Sequence, residues 1–282
     1  MKKQIFVFAV LAPVIFTSGC AGTAKICHGK TRKSISQKSV ASEASFIVGE
    51  KFTYLAAWKG IPVGSATVTL EELTIVNGFE VYKIVVRAQT NKFLSRIFKV
   101  DDVFTSYMDK DKLVSRRYEG LIREGNYRKN LIVNYDDKKN LAVYRNLTDG
   151  STKTCLTLEN VRDPICAAYF FRTIPLKTGD QVQMAVNLCE NNYELIGNIM
   201  KTADVDLAGL GRFNAFLVEP YIKLKGKLQK RATARGYISA DKKRLGLFMV
   251  LRVLEIPWIG EVTATLKKVE YVNKDEKQKN YE

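Results

Sequence analysis

The sequence predicts a mainly β protein: a large antiparallel meander forming a curved sheet, an open barrel or a sandwich, with one or two short helices. Three observations carry this expectation. From Lys51 onward, apolar residues alternate with polar ones at period two in short runs. Turn chemistry separates the runs at Asn77-Gly78, 109–112, Glu124-Gly125-Asn126, 136–140, Asp149-Gly150 and 241–244. Connections this short pair sequential neighbours as hairpins, because a parallel crossover needs about a dozen residues or more.

In chain order, the alternation is clearest at Phe79–Thr90. Tyr82, Ile84, Val86 and Ala88 share one face there, while Lys83, Arg87 and Gln89 share the other with Val81 and Val85. About a dozen strands are expected in all. Asn91 and Phe98 bracket a candidate short helix, with Phe93, Leu94 and Ile97 on one side. Asp163 followed by Pro164 is a stronger start signal, an N-cap acceptor and then a residue whose missing N–H costs nothing at the first helical position. That helix, from Asp163 to Arg172, is apolar nearly all round and should be buried against the sheet, with Cys166 as core packing. Near the end, Val262, Ala264 and Leu266 alternate with Thr263, Thr265 and Lys267. The segments 61–70 and 256–266 look alike, which places the first and last strands in equivalent settings.

The amino terminus reads as an export leader, residues 1–19: Lys2 and Lys3, an apolar stretch at 5–16, then Thr17, Ser18 and Gly19. The apolar stretch is well short of the roughly 20 residues that cross a bilayer. Thr17-Ser18-Gly19-Cys20 resembles a bacterial lipobox, with Thr17 where Leu is usual, which makes Cys20 the lipidation site and the first mature residue. By the sorting pattern of such lipoproteins, Ala21 directs the chain to the outer membrane, facing the periplasm; ordinary cleavage near Ala24 would instead release a soluble periplasmic protein. Residues 20–45 form a flexible tether poor in large apolar groups, 46–272 a single β-rich domain, and 273–282 a charged disordered tail.

Composition removes several chemistries. The chain carries 45 Lys plus Arg against 29 Asp plus Glu, a formal +16, and a single histidine, His28, in the tether. Nucleophile–imidazole catalysis and His-rich zinc sites therefore have no imidazole in the folded region. No phosphate-cradling glycine loop appears, Gly209-Leu210-Gly211 being a turn, and no cofactor or metal is expected. Carboxylate chemistry stays open, although neighbours such as Asp101 and Asp102, or Glu71 and Glu72, point to opposite faces of a strand and are not expected to converge. In an oxidising compartment Cys155 and Cys189 are the candidate disulfide. Lys223, Lys225 and Lys227 alternate with Leu224, Gly226 and Leu228, and Lys230, Arg231 and Arg235 follow, a candidate face for anionic lipid or glycan. Nucleic acid is not an expected partner.

Gly49, Glu50, Tyr54, Trp58, Gly60, Ile61, Pro62, Val63 and Gly64, then Asp163, Pro164, Ala167, Tyr169 and Arg172, then Asp241 and the closing Gly260, Thr263 and Leu266, together resemble the bacterial domain-of-unknown-function 3108 family. The resemblance covers about 46–272 and implies an exported, mostly antiparallel β domain, often on lipoproteins; it implies no catalytic residues.

The expected function is thus an outer-membrane lipoprotein held by its lipid anchor, with a non-catalytic binding or scaffold domain for an envelope component. A lipid or lipoprotein carrier with an apolar groove is the first alternative, and a carboxylate-dependent glycan hydrolase the second. A carrier requires an apolar cavity of several hundred Å³ and a hydrolase two convergent acids in a cleft.

Overall fold

The alternation resolves into one antiparallel sheet. Its strands are β1 (Glu50–Trp58), β2 (Ile61–Val76), β3 (Phe79–Thr90), β4 (Asp101–Asp109), β5 (Ser115–Glu124), β6 (Tyr127–Asp136), β7 (Leu141–Asn146) and β8 (Thr152–Leu156). After helix α1 (Pro164–Arg172) come β9 (Gln181–Leu188), β10 (Asn191–Leu207), β11 (Gly211–Leu224), β12 (Lys227–Leu228), β13 (Ala232–Ser239), β14 (Gly246–Val253) and β15 (Glu261–Tyr271). The computed structural model describes residues 46–229, 232–254 and 260–272. The leader, Cys20, the tether with His28, Lys230, Arg231 and the tail at 273–282 lie outside the described residues.

The described strands number fifteen, more than the dozen expected, because the run around Lys225 is two strands and not one. Strands β1 to β8 pair in sequence, as do β9 to β11 and β13 to β15, and β15 returns to pair with β1. Strand β1 therefore lies between the first and last long neighbours. Ala56 sits opposite Gly64 of β2 on one side and Ala264 of β15 on the other, which is the equivalence the likeness of 61–70 and 256–266 suggested. Register shifts after Ala56, Leu70, Tyr107 and Ile199 bend the strands and help curl the sheet.

The sheet remains open, with β8 and β9 as its edges, and α1 is the crossover between them. Side chains join the edges where no ladder does. Asn192 Nδ2 donates to Leu156 O at 2.7 Å, Tyr135 and Tyr144 both donate to Asn187 Oδ1, and Lys153 pairs with Glu190. The residues just before α1 run parallel to β9, the Asn187 amide donating to Arg162 O at 2.8 Å.

Helix α1 starts where the sequence placed it. Asp163, fully buried, accepts the amides of Ile165 and Cys166 at 2.9 and 3.0 Å, and its second oxygen accepts the hydroxyls of Ser106 and Ser115 at 2.7 and 2.5 Å. The cap thus also pins the helix to β4 and β5. Cys166 and Tyr169 pack into the main core with Leu70, Ile84, Leu247 and Leu266, while Ala167 meets Met184, Ile199 and Val218 from the other half of the sheet. One helix packs against both halves of the sheet.

Within the stretch from Asn91 to Phe98 the expected short helix is a single turn of 3-10 helix, Leu94–Arg96. Asn91 Oδ1 accepts the Leu94 amide at 2.8 Å and Ser95 Oγ donates to Asn91 O at 2.7 Å, so one turn is satisfied locally. A longer helix lacks an apolar surface to bury Phe93 and Ile97 against, and so short a segment cannot offset its nucleation cost alone. Among the described residues no helix is long and apolar enough to cross a membrane, a statement that leaves strand-based spanning untouched.

Candidate functional site

Curling the sheet around a nine-residue helix leaves space that the helix does not fill. A cavity of about 190 Å³ lies between α1 and the concave face of the sheet, bordered by β9 to β11, β13 to β15 and, through Phe52, Tyr54, Val68 and Val86, by β1 to β3. Ala168, Phe171 and Arg172 face it from the helix, and Met184, Val218, Ile222, Tyr237, Phe248 and Met249 from the strands. Its walls are overwhelmingly hydrocarbon. Gly197 and Gly236 belong to the lining, and a side chain at Gly197 would reach contact distance of Val218 and Phe171. The volume lies below the roughly 300–1,000 Å³ of sites that enclose a whole small ligand, so an occupant leaves part of itself outside.

Three arginines belong to the lining of this groove, and their guanidinium groups are in three different states. Arg172 donates to both oxygens of Glu50, at 2.6 and 3.1 Å, and is ringed by Phe46, Phe52 and Tyr169 with centroids 4.9–5.3 Å away. Burial pulls its pKa down, but the Glu50 carboxylate overcomes this and leaves it above the ordinary arginine value. Arg235 is paired to Glu219 at 2.7 Å. Arg244 has no carboxylate partner among the described residues: it donates to Ala240 O at 3.0 Å and lies 5.2 Å from the Phe216 ring centroid. Loss of water lowers its pKa, with Asp241 opposing, yet an arginine stays charged across the biological range. Burial lifts the nearby Tyr54 phenol to about 12, Arg172 pulling the other way, so that hydroxyl remains a neutral donor.

The sequence had these residues in view only as a resemblance. Glu50 and Arg172 stand 122 positions apart in the chain, and Tyr54, Tyr169 and Asp163 surround or position them. Gly49 explains itself by position: at φ +93° its Cβ would sit 2.2 Å from Val272 O, where the last strand closes against the first. Arg244 was not foreseen, because a missing partner leaves no local pattern; an apolar groove was expected of the carrier alternative, but curvature leaves no local pattern that would name its lining.

The candidate anionic-ligand face does not exist as read. Lys225 and Gly226 occupy a tight turn with φ of 52° and 78°, pairing Leu224 with Lys227 and Lys223 with Leu228. Opposed residues share a face, so Lys223 and Lys227 point to opposite sides of the sheet. Arg235 is already neutralised, and Lys230 and Arg231 lie outside the described residues. The convex side of these strands holds a shallow hollow of about 520 Å³ flanked by the Arg235–Glu219 and Arg252–Glu261 pairs.

Of the candidate disulfide, Cys155 is buried on β8 and Cys189 half-buried in the turn before β10, with no bond between the two, and both raise the pKa of Tyr144 after its burial. Cys189 and Glu190 take the two positive-φ places of that turn, at 47° and 64°, which fixes the direction of the Cys189 side chain.

Two acids do converge elsewhere. Asp102 of β4 and Glu124 of β5 are 1% and 6% exposed and touch through their carboxyls, while Asp101 points outward to Arg123. Burial and the neighbouring Asp102 charge push Glu124 up to about 8. Neither acid borders the groove. Among the described residues no group of three or more His, Cys, Asp or Glu is placed to hold a metal.

A family model described as a protein of unknown function, DUF3108, matches residues 53–267. No curated protein matches the chain. Among solved structures, the β-barrel-like protein of DUF1849 from Brucella abortus is similar at TM-score 0.54 and 11% identity, over 80% of this chain and 99% of that one. A Bacteroides fragilis protein assigned as exported, with a YmcC-like fold, gives TM-score 0.29 at 11% identity over 79% and 95% of the two chains. A Parabacteroides distasonis protein assigned as a lipoprotein gives 0.31 at 10% over 80% and 97%. At such identities the first likeness speaks for the fold alone, and the other two carry no weight.

Proposed function

From the premise that this chain belongs to the DUF3108 family, whose function is unknown, we propose that it is a non-catalytic, envelope-anchored binding domain that holds the apolar part of an amphiphile in the groove beside α1. The observation that carries the reading is the pairing of a hydrocarbon-walled cavity with one uncompensated guanidinium, Arg244, at its border. The walls take an acyl chain, and Arg244 takes a carboxylate or phosphate at its head. The cavity of about 190 Å³ falls short of the several hundred Å³ expected of a carrier that encloses its ligand, so the groove holds only part of the amphiphile and the remainder stays on the membrane or on a partner. The leader and Cys20 support anchoring at the outer membrane, on the periplasmic side. The hydrolase alternative is weakened by the convergent acids themselves. Asp102 and Glu124 are in direct contact, closer than the roughly 5–9.5 Å a glycosidase needs, and lie in no cleft.

The test is titration of the full chain with cis-parinaric acid, a fluorescent fatty acid, alongside mass spectrometry of lipid co-purified from the envelope. Saturable binding is expected, and Ala168→Trp, which fills the groove, should weaken it at least tenfold, the equivalent of losing about two buried methylenes. Arg244→Met should weaken the acid but not its methyl ester. Equal binding by Ala168→Trp at unchanged thermal stability removes the groove reading.

A further inference from the structure

At the opposite extreme from the carboxy end of α1, two turns stand side by side. The β1–β2 turn carries Trp58, Lys59, Gly60 and Ile61, and the β3–β4 connection carries residues 91–99. Asn91 ties them together, its amide donating to Val63 O at 2.9 Å and its side chain to Pro62 O at 2.7 Å. Leu94 turns inward onto Ala56, Val63 and Val262. Its neighbours turn outward: Phe93 is 73% exposed, Ile97 76%, Ile61 64% and Trp58 37%. Single exposed apolar residues are ordinary, but four large ones on two adjoining turns make a patch.

Among the described residues the uncompensated charge around this patch has one sign. Lys59, Lys92, Arg96 and Lys99 are exposed and make no ion pair among them. The described acids of the same end are spoken for: Asp101 by Arg123 at 3.3 Å, Glu261 by Arg252 at 3.7 Å, while Asp102 and Glu124 are buried against each other. None of the four apolar tips borders either cavity. Protruding apolar tips, an indole at their edge and a rim of uncompensated cations are the arrangement that enters the head-group region of an anionic bilayer.

We infer that this end of the sheet docks on an anionic phospholipid surface, with Phe93, Ile97 and Ile61 inserted below the head groups and Lys59, Lys92, Arg96 and Lys99 on the phosphates. The contact is independent of what the groove holds and of the lipid on Cys20. It is also distinct from the strand face expected at Lys223 to Arg235, which the turn at Lys225 disperses.

Trp58 is one of two tryptophans in the chain, so it can report the contact. The full chain carrying Trp258→Phe is reconstituted with vesicles whose acyl chains are brominated, of phosphatidylglycerol with phosphatidylethanolamine or of phosphatidylcholine alone. Trp58 fluorescence should be quenched in the anionic vesicles, and salt should relieve the quenching. Lys92→Glu/Arg96→Glu should lower the ratio of docked to undocked chain at least tenfold, at about 1 kcal/mol for each charge near the surface. Phe93→Ser/Ile97→Ser should do the same at unchanged near-ultraviolet circular dichroism. Trp58 equally unquenched in both vesicles, or quenched to the same extent after charge reversal, overturns the inference. If Trp258→Phe unfolds the chain, the difference in bromolipid quenching between the wild type and Phe93→Ser/Ile97→Ser reads the same contact, and no difference overturns it.

Discussion

Glu50–Arg172 and Asp102–Glu124 are both ionisable pairs removed from water, yet they solve opposite problems. The first joins opposite charges in a bidentate contact, roofed by three aromatic rings, so that the contact offsets the water both groups have lost. The second joins like charges with no cation between them. Asp102 Oδ1 accepts the Arg123 amide at 2.7 Å, but Oδ2 meets no N–H or hydroxyl, and its available donor is the Glu124 carboxyl carrying a proton. One pair is held by charge and the other by the absence of charge. Burial alone therefore does not say how a site responds to acid or base; the sign of its neighbours does.

The largest effect should come from breaking the opposite-charge pair on one side only. Arg172→Met leaves Glu50 buried without its guanidinium and should cost about 3–5 kcal/mol, read as a shift in urea midpoint. Glu50→Gln/Arg172→Met should recover more than half of that, since no lone charge remains. If the double variant is as unstable as the single one, packing of the arginine stem and not charge compensation is what matters.

Next in size is the pH response of the like-charge pair. Glu124 has a folded pKa raised from 4.5 to about 8, so the folded state holds a proton that the unfolded state releases across that window. Stability should be full below 4.5, fall as pH rises toward 8 and level off above it, by a few kcal/mol in all at about 1.4 kcal/mol per unit. Glu124→Gln supplies a permanent N–H donor to Asp102 and should flatten the profile, so that the variant is the more stable protein above pH 8. An unchanged slope in chemical denaturation across the window would falsify the shared-proton account.

The smallest effect belongs to a half-buried triad. Lys83 reaches Glu71 and Glu72 at 3.1 and 3.3 Å, with all three side chains 27–38% exposed, and the register shift after Leu70 brings the two adjacent acids to one cation against the expectation that they diverge. Lys83→Ala should cost no more than about 1 kcal/mol and lose most of that in high salt. A cost matching that of Arg172→Met would erase the distinction between the buried and surface cases.

What could be read before folding was whatever a residue says about its own backbone. Asn77-Gly78, Asp149-Gly150 and the Asp163-Pro164 cap specify their turns and helix by local geometry, and all are where expected. The turns that escaped notice use residues without that signature: Cys189 and Glu190 take left-handed backbone with no glycine. At Lys225-Gly226 an apparent alternation of lysines hid a reversal, because period two is preserved in sequence while the chain changes direction. Glu50 and Arg172 could not be joined from sequence, since their contact needs the whole curl of the sheet between them. The hydrophobic alternation does fix which side chains face inward, but the groove is a leftover of how far the sheet bends, and bending arises from scattered register shifts.

The return of β15 to β1 has a temporal corollary. Glu50 cannot meet Tyr271 until nearly the entire polypeptide has been delivered, by a ribosome or a translocation channel, so the opening strand waits with one side bare. Such distant partners make for slow assembly, and a nascent chain stopped before Glu261 would expose that edge as an invitation to neighbouring copies. A holdase that shields the segment around 50–58 during that interval is what this topology asks of its cell.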